Sequence, residues 1–461
     1  MIRQAQRRTV FVSTRRRTSL LAGRQGFGGQ VIGGSKKTVF VGMSGGVDSS
    51  VTAAILRDQG YNVVGVHLRC WNVDGCAAQD AEDARRAAET LSIPFYVFDF
   101  EKEYRERVVQ YMVDGYKKGI TPNPDVMCNQ EIKFGLFYKR AMELGADFVA
   151  TGHYVRLKKV RNVRSVGNVG GAQAERSNKA QADRTVPTFQ LLSAKDVSKD
   201  QSYFLWTLTQ KQLAHCLFPL GDLIKRTQVR KLAKKYKLPN AEKKDSQGIC
   251  FLGHIALDEF LADFIPAKKG AIVNVSGKII GKHKGAQFYT IGQRRGFGLG
   301  GSDQPLYVSG KNMKKNIIML APETDPSLYK KEITLSSVNL ISPSFQHSNI
   351  LQNVGMSVWC RVRYRQPLFK ATLVAVRDVG AVRNVGNAQM QPSNKLVRAG
   401  GRSGSTIPTF KLVFQKPQKF VVPGQSAVFY SPFGKGRTAS RRGGIYSSSE
   451  MLGGGIIHSA K

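Results

Sequence analysis

Val39 to Ser50 reads V-F-V-G-M-S-G-G-V-D-S-S. Its first residues are β-branched or aromatic, which predicts a short buried strand, and the apolar residues after the glycines recur at helical spacing. Because Gly45 and Gly46 have no Cβ, the backbone of the turn can approach an anion closely. The N–H groups at the start of the following helix point to the same place. The stretch therefore predicts a phosphate-binding loop.

The loop has no Lys-Ser or Lys-Thr pair, so it differs from a Walker loop, which binds the outer phosphates of a nucleotide. Ser44, Ser49 and Ser50 supply hydroxyl donors instead. The pattern S-G-G-x-D-S resembles the pyrophosphate loop of ATP pyrophosphatases, which cleave ATP between the α and β phosphates and adenylate a substrate. The alternative is an ordinary glycine-rich strand-to-helix turn.

The chain is strongly basic. Its 461 residues include 70 Lys and Arg against 32 Asp and Glu, a net charge of +38, and about half of this excess lies in low-complexity stretches. Such an excess favours a polyanionic partner, first of all nucleic acid. Six cysteines without a repeated C-x-x-C pattern argue against a disulfide framework or a structural zinc site and indicate a reducing compartment. No apolar run approaches the ~18 residues of a membrane span, so we expect no membrane partner.

Residues 1–35 form a basic low-complexity extension with seven Arg and no acidic residue. This composition fits both an organellar transit peptide and a disordered basic tail. We favour the tail, because three internal stretches share its composition. The expected location is therefore cytoplasmic, and the alternative is the mitochondrial matrix if the extension is a transit peptide.

From Lys36 onward, predicted strands alternate with helices long enough for right-handed crossovers, which predicts an α/β domain with a doubly wound parallel sheet. Ligands of such sheets bind beyond the carboxyl ends of the strands. Evenly spaced short strands follow, among them one predicted at Gln287–Ile291, and they predict a small β-rich central module and a C-terminal β-barrel. The expected divisions are 1–35, 36–253, 254–330 and 331–461.

Three stretches of linker composition interrupt these patterns, at about 161–185, 379–407 and 432–449, and are called the grafts below. The first two each contain V-G-N and S-N-K, and P-T-F follows each of them. A solenoid would need apolar periodicity within the repeat. Since neither copy has it, we predict surface loops.

T-P-N-P-D-V-M-C-N (121–129) predicts a stiff loop before a helix that begins near Gln130, since each proline fixes φ. Cys128 would lie near the helix start, where the positive end of the dipole favours a thiolate. Asp125 could act as a general acid or base beside this sulfur. The alternative is a turn with an incidental cysteine.

Cys250 is the second candidate thiol, because two upstream lysines, Lys243 and Lys244, could lower its pKa. A buried structural cysteine is the alternative. The remaining thiols have no comparable polar neighbours in sequence, and we interpret them as packing or incidental residues: Cys70, Cys76, Cys216 and Cys360.

Seven motifs together resemble the tRNA-specific 2-thiouridylase family of ATP pyrophosphatases. They are G-M-S-G-G-V-D-S (42–49), T-P-N-P-D-x-x-C-N (121–129), A-T-G-H-Y (150–154), S-K-D-Q-S-Y-F-L (198–205), K-K-D-S-x-G-I-C-F (243–251), R-Y-R-Q (363–366) and P-G-Q-S-A-V-F-Y (423–430). The resemblance runs from about Lys36 to Ile457 with the grafts excluded.

The resemblance implies that sulfur replaces the 2-oxygen of the wobble uridine in tRNAs of the Lys, Glu and Gln type. ATP would adenylate that oxygen. Cys250 would carry a persulfide loaded by an upstream sulfur carrier protein, and Cys128 would be its nucleophilic partner, so that product release leaves a Cys128–Cys250 disulfide. Asp125 would transfer protons, and the target base would be flipped out of the stack.

By the same resemblance, ATP contacts fall on Gly42, Met43, Ser44, Gly45, Gly46, Val47, Asp48, Ser49, Leu68 and Gly152. The family often has Met at the position of Leu68. Contacts to the target base and the tRNA fall on Asn123, Pro124, Asp125, His153, Lys199, Asp200, Gln201, Arg363, Tyr364 and Gln425. Mg²⁺ is expected with ATP, although no metal ligand set is predicted in the protein, and we expect a monomer.

Three alternatives stay open. The first is another ATP pyrophosphatase, similar to lysidine synthetase or to the amidotransferase-type synthetases, which would have no use for two thiols. The second is a basic RNA-binding protein with a vestigial nucleotide fold. The third concerns mechanism alone, because Cys128, Cys250 and Asp125 could instead hold an iron–sulfur cluster.

Overall fold

The computed structural model describes residues 36–71, 77–160, 187–245, 255–299, 304–343, 355–376, 409–431 and 449–461. The extension, the first two grafts and all but the last residue of the third lie outside these ranges, as do Cys76 and Cys250. No helix within the described ranges is long and apolar enough to cross a membrane.

The strands in chain order are β1 Thr38–Gly42, β2 Asn62–Arg69, β3 Phe95–Asp99, β4 Phe148–Ala150, β5 Val155–Val160, β6 Thr188–Ser193, β7 Cys216–Leu217, β8 Gly270–Val273, β9 Ile279–His283, β10 Leu306–Asn312, β11 Ile317–Pro322, β12 Tyr329–Leu340, β13 Met356–Arg361, β14 Phe369–Val376, β15 Thr409–Lys419, β16 Ser426–Tyr430 and β17 Met451–Ala460. The α-helices are α1 Val47–Asp58, α2 Ala77–Thr90, α3 Glu101–Tyr104, α4 Gln110–Lys117, α5 Pro124–Met127, α6 Tyr138–Glu143, α7 Gln210–Leu213, α8 Arg230–Lys235 and α9 Leu257–Ala262. Short π-helical stretches join α3 to α4, join α5 to α6 and lead into α8, at Arg105–Val109, Cys128–Phe137 and Lys225–Val229.

The first sheet has the strand order β3-β2-β1-β4-β7, and all its pairings are parallel. This confirms the predicted doubly wound α/β domain. β1 lies at the centre because its side chains are apolar on both faces, and Val39 and Val41 are fully buried. β1 has β2 as its neighbour on one side and β4 on the other. The strand order therefore changes direction at β1. A crevice at the carboxyl ends of β1 and β4 is the expected ligand site of such a sheet.

The central module is a four-stranded sheet of order β10-β11-β8-β9, and the C-terminal strands close a barrel of order β12-β15-β14-β13-β16-β17. Both confirm the predicted fold class. The predicted strand at Gln287–Ile291 is wrong, because this stretch is a 3₁₀ turn followed by a turn that Gln293 closes onto Thr290 through both backbone and side chain. Local hydrogen bonding therefore replaced a strand pairing.

The hairpin of β5 and β6 is absent from the sequence-based prediction, because a graft separates its two strands. Each graft in fact lies between two adjacent antiparallel strands whose ends are paired. The paired ends are Val160 with Thr188, Val376 with Thr409, and Tyr430 with Met451. The grafts therefore connect hairpin ends and leave the strand order unchanged.

The barrel packs directly on the first domain through an apolar interface that also contains side-chain hydrogen bonds. Tyr203 donates its hydroxyl to the carbonyl of Ser426 at 2.9 Å, and the indole of Trp206 donates to the Ser426 hydroxyl at 3.0 Å. Both aromatic side chains are buried. A Cβ on Gly454 would lie 2.7 Å from the Trp206 ring, so the barrel backbone closes onto the indole only because this residue is glycine.

Candidate nucleotide and thiol site

The loop between β1 and α1 is held open by bonds to its own neighbours. The Met43 N–H donates to Val66 O at 2.7 Å, and the Ser44 N–H donates to Ser49 Oγ at 3.1 Å. Gly45 has φ +76°, a conformation that favours glycine, and Gly46 is the N-cap of α1. Because glycine has no side chain to cap the helix, the first N–H groups of α1 point into the space beyond β1. This is the geometry of an anion site.

The end of β4 touches the start of α1. A Cβ on Gly152 would lie 2.8 Å from Ser49 N and 3.0 Å from the carbonyl carbon of Asp48. Only glycine allows this approach. Gly42 and Gly152 therefore lie at the ends of the two strands that flank the crevice. Leu68, at the end of the neighbouring strand β2, is partly buried against two core clusters.

Asp48, in the first turn of α1, has both carboxylate oxygens bonded. Oδ1 accepts the Tyr154 hydroxyl at 2.8 Å, and Oδ2 lies 2.7 Å from the ammonium of Lys225. Burial and the Asp48 carboxylate both raise the pKa of Tyr154, so its hydroxyl keeps its proton and remains a donor. The negative charge of Asp48 is thus compensated beside a loop built for an anion.

Lys225 also reaches Asp245, whose Oδ1 lies 2.6 Å from the same ammonium. Lys199 contacts Asp245 Oδ2 at 2.7 Å and Arg230 contacts Asp245 Oδ1 at 3.0 Å. Partial burial raises the pKa of Asp245, but the hydrogen bonds from Lys199 and Lys225 outweigh it and lower this pKa to about 2. One ionised carboxylate therefore gathers three cations next to the loop.

The segment that contains Lys225 and Asp245 also contacts the loop through Asn240, which donates to the carbonyl of Gly45 at 2.9 Å. Lys243 reaches α2 instead, where it binds Asp80 at 2.7 Å and Asp83 at 2.6 Å. Burial lowers the pKa of Lys243, but these two carboxylates outweigh it and raise this pKa. Its charge is compensated, which weakens the expectation that it lowers the pKa of Cys250. Cys250 itself lies outside the described residues.

The second predicted site is the segment 121–129 with Asp125 and Cys128, and its helix starts earlier than the sequence predicts. A helix begins at Pro124, not near Gln130, and Asn123 is its N-cap, with Oδ1 accepting the Val126 N–H at 3.2 Å. Asparagine followed by proline is a helix-start signal that was readable in the sequence. Asp125 is consequently in the first turn and Cys128 in the second. Since the dipole effect falls off within the first turn, it favours a Cys128 thiolate less than expected.

Cys128 is buried, at 4% exposure, in a cluster formed by the helices around α4 and by the central module. The helical run that carries it continues to Phe137, whose ring lies 3.6 Å from the position of a Cβ on Gly42. The thiol-bearing helical run, which continues into α6, therefore passes the phosphate loop at Phe137. This contact joins the two predicted sites into one region.

The start of this helix is fixed by the other two modules. The Thr121 N–H donates to Pro423 O at 3.0 Å, and the Gln425 side chain donates to Thr121 O at 2.9 Å. The hydroxyls of Thr121 and Thr290 are hydrogen-bonded at 3.2 Å. Gln425, predicted to contact tRNA, thus ties the barrel to the segment before Asp125.

Other residues predicted to contact tRNA make hydrogen bonds within the protein. His153 is 7% exposed, its Nδ1 lies 2.7 Å from the Thr151 hydroxyl, and burial, together with the charge of Lys133, holds its pKa well below the usual range. Gln201 accepts the Tyr154 N–H at 2.9 Å.

Asp200 is 4% exposed and accepts the Ala194 N–H and the Ser202 hydroxyl. Burial raises the pKa of Asp200, although Arg361, 3.6 Å away, opposes this.

Arg363 and Tyr364 are partly buried at the junction of the modules. Arg363 donates to Ile291 O at 2.5 Å, and the Tyr364 ring centroid is 4.4 Å from that of Phe204. Burial lowers the pKa of Arg363. The structure thus brings together Gly42 to Ser49 with Gly152, and the segment from Thr121 to Asp125 with Gln425.

Comparisons with known proteins agree with this geometry. A family model described as "tRNA methyl transferase HUP domain" matches residues 37–254, and one described as "tRNA methyl transferase PRC-barrel domain" matches residues 258–322. A tRNA-specific 2-thiouridylase from Nitrosomonas europaea is 43% identical over 433 residues, 92% of this chain and 98% of the relative. The same enzyme from Bacillus velezensis is 37% identical over 425 residues, 91% of this chain and 94% of the relative. This chain belongs to the tRNA-specific 2-thiouridylase family.

Proposed function

We propose that this protein uses ATP to replace the 2-oxygen of the tRNA wobble uridine by sulfur. The observation that carries the proposal is the contact between the phosphate loop and the helix of Asp125 and Cys128, through Phe137 and Gly42. This contact supports the proposal, because the reaction needs an adenylating site and a thiol in the same region. A protein that only bound RNA would need neither.

In the first step, the uracil 2-oxygen attacks the α-phosphorus of ATP and pyrophosphate leaves. The base loses its N3 proton as the C2–N3 double bond forms, and Asp125 is the proposed acceptor of that proton. The first N–H groups of α1 and the loop hydroxyls would stabilise the departing pyrophosphate. Adenylation turns an unreactive carbonyl oxygen into part of AMP, which is a good leaving group.

In the second step, the terminal sulfur of a Cys250 persulfide attacks C2 and AMP leaves. The Cys128 thiolate then attacks Sγ of Cys250. This breaks the bond between that Sγ and the transferred sulfur, and the electron pair of the broken bond remains on the sulfur attached to C2. The products are 2-thiouridine and a Cys128–Cys250 disulfide, which an external thiol must reduce with two electrons before the next turnover. An upstream carrier protein would supply the persulfide.

ATP and tRNA are the substrates of this reaction, and we propose Mg²⁺ as the counterion of the triphosphate. The described ranges contain no group of three or more His, Cys, Asp or Glu side chains placed to hold a metal ion. We propose that Mg²⁺ is held mainly by phosphate oxygens and water, as is common for this ion. Its chemistry would be to neutralise charge on the leaving pyrophosphate.

We further propose that tRNA binds across all three modules, 36–253, 254–330 and 331–461, and that the protein acts as a cytoplasmic monomer. The partial exposure of Lys199 and Tyr364 supports direct contact with tRNA. His153, Asp200 and Gln201 would act by holding that surface in place, since their side chains are bonded inside the protein.

The family model is described by methyl transfer, whereas the relatives are named as thiouridylases, and the two reactions give different products. The decisive experiment incubates wobble-uridine tRNA with the protein, ATP, Mg²⁺ and a persulfide source, followed by nucleoside analysis. Cys128→Ser and Cys250→Ser are compared with the wild type, and Cys70→Ser, at a partly exposed thiol outside the proposed mechanism, is the control.

We expect 2-thiouridine from the wild type and from Cys70→Ser, and none from the other two variants. Pyrophosphate should still form with Cys250→Ser, because adenylation precedes sulfur transfer, whereas AMP should stay bonded to the uracil 2-oxygen because no sulfur displaces it. A methylated nucleoside, or thiolation that survives in both Cys128→Ser and Cys250→Ser, would contradict the proposal. A visible absorption band in anaerobically purified protein would instead favour the iron–sulfur alternative.

A further inference from the structure

We propose that Lys225 binds the polyphosphate chain of ATP, and that Asp48 and Asp245 hold its ammonium in place for that purpose. The inference rests on the proposed function, since it requires ATP at the loop. Lys225 lies 177 residues after Asp48, and it is not among the motif residues that carry the family resemblance.

The first support is the position of the ammonium. Lys225 is 7% exposed and lies at the start of the π-helical turn before α8. Its Nζ is 2.7 Å from Asp48 Oδ2 and 2.6 Å from Asp245 Oδ1. Asp48 is in the first turn of α1, whose N–H groups form the anion site. The cation is therefore one side chain away from the place where a phosphate would bind.

The second support is hydrogen-bonding capacity. An ammonium has three N–H donors, and the two carboxylates account for two of them. A third donor remains for a phosphate oxygen. Burying a lysine this deeply is costly unless it is paired, which explains why two carboxylates are recruited. They stop the side chain from folding into other conformations.

The third support is that Lys225 can share its charge with a phosphate without leaving a carboxylate unpaired. Asp245 keeps Lys199 at 2.7 Å and Arg230 at 3.0 Å, and Asp48 keeps the Tyr154 hydroxyl at 2.8 Å. Asp196, the other nearby carboxylate, accepts the backbone N–H of Lys225 at 2.9 Å. That bond fixes the backbone of Lys225, in addition to the two carboxylates that hold its ammonium.

The competing explanation is that Lys225 only neutralises Asp48, so that this carboxylate does not repel ATP. The two explanations differ once Asp48 carries no charge. In an Asp48→Asn background there is no carboxylate charge at this position to neutralise. A direct contact of Lys225 with a phosphate would still contribute to ATP binding. Adding Lys225→Met to that background therefore isolates the direct contact. Asp245 retains two cations in the double variant, which keeps the cluster paired.

The experiment measures binding of a non-hydrolysable ATP analogue and of AMP to the full-length protein by calorimetry. The proteins are the wild type, Asp48→Asn, Asp48→Asn with Lys225→Met, and Arg230→Met. Arg230 is the matched control, because it contacts Asp245 as Lys225 does but does not reach Asp48. Thermal melting of each variant confirms that it is folded.

We expect Lys225→Met to weaken binding of the ATP analogue by about 10- to 100-fold in the Asp48→Asn background, the range of a hydrogen bond to a charged group. AMP binding should change less than about threefold, as should analogue binding by Arg230→Met, because neither involves a contact of Lys225 with the outer phosphates. Equal binding with and without Lys225 in the Asp48→Asn background would overturn this inference alone. An equal loss in Arg230→Met would overturn it too, because the effect would then be one of general charge. A wild-type protein that binds no ATP would overturn the proposed function and this inference together.

Discussion

Gly152→Ala probes the contact between the end of β4 and the start of α1. The added Cβ would lie 2.8 Å from Ser49 N, 3.0 Å from Asp48 C and 3.1 Å from Asp48 Cβ. Two of these atoms are backbone atoms of the helix turn whose N–H groups form the anion site. The strain therefore cannot be relieved by rotating a flexible side chain, and either β4 or the helix start must move.

The size of the displacement follows from the distances. Ordinary van der Waals contact begins at about 3.4 Å, so Ser49 N and the new methyl group must separate by about 0.6 Å. Hydrogen bonds from N–H groups weaken over a change of this size. Overpacking of this kind costs about 1–3 kcal/mol, and if the cost falls on the bound state, ATP affinity drops by about 5- to 150-fold.

Calorimetric titration with a non-hydrolysable ATP analogue measures this drop, and Gly355→Ala is the matched control. Gly355 precedes β13 in the barrel, outside the predicted ATP contacts, and a Cβ there would also be overpacked, at 2.5 Å from Thr372 Cγ2. We expect Gly355→Ala to lower stability but to change the affinity by less than about threefold. Unchanged affinity in Gly152→Ala, or an equal loss in both variants, would refute the proposed role of this contact.

Three further outcomes are expected. Gln425→Ala removes the bonds to the carbonyls of Thr121 and Pro122, so kcat for thiolation should fall about tenfold with unchanged ATP affinity; a rise in the KM for tRNA alone would indicate a tRNA contact instead. Burial lowers the pKa of Lys311 to about 8, so the folded state disfavours its charged form. Lys311→Met should stabilise the protein near pH 7 by about 2 kcal/mol after loss of the bond to Tyr289 O. Since wild-type stability rises between pH 8 and 10.5, that gain should vanish across this window in thermal melts. Replacing all three grafts by short turns should preserve folding and thiolation, because their strand ends are already paired; an inactive or unfolded product would show that the grafts contribute contacts.

The sequence was sufficient where the structural signal is local. The strand, the glycine turn and the helix of the phosphate loop are consecutive, so each part constrains the next. The start of α5 is also encoded locally, by Asn123 before Pro124, but the two prolines equally predict a rigid loop. The same φ restriction that stiffens a loop also suits the first position of a helix. The N-cap residue Asn123 decides between the rigid loop and the helix start.

The sequence was insufficient where polar residues meet across long separations. Lys225 occurs in a lysine- and arginine-rich segment, where nothing distinguishes it from its solvent-facing neighbours, and its contact with Asp48 spans 177 residues. Apolar periodicity predicts which face of a helix is buried, but it carries no information about which ammonium enters a cleft.

The motif that contains Asp200 shows a second limit of sequence-based prediction, which concerns the role of a polar residue. A short polar motif can mark residues that touch a ligand or residues that hold the surface that does so, because both roles need a defined hydrogen-bonding group. Asp200 is buried, accepts bonds from Ala194 and Ser202, and faces Arg361 of the barrel. Replacing it by alanine would leave the Arg361 guanidinium buried without its carboxylate, so stability should fall together with activity. Lys199, which is partly exposed next to it in sequence, lacks that constraint, and its removal should alter tRNA affinity while the fold persists.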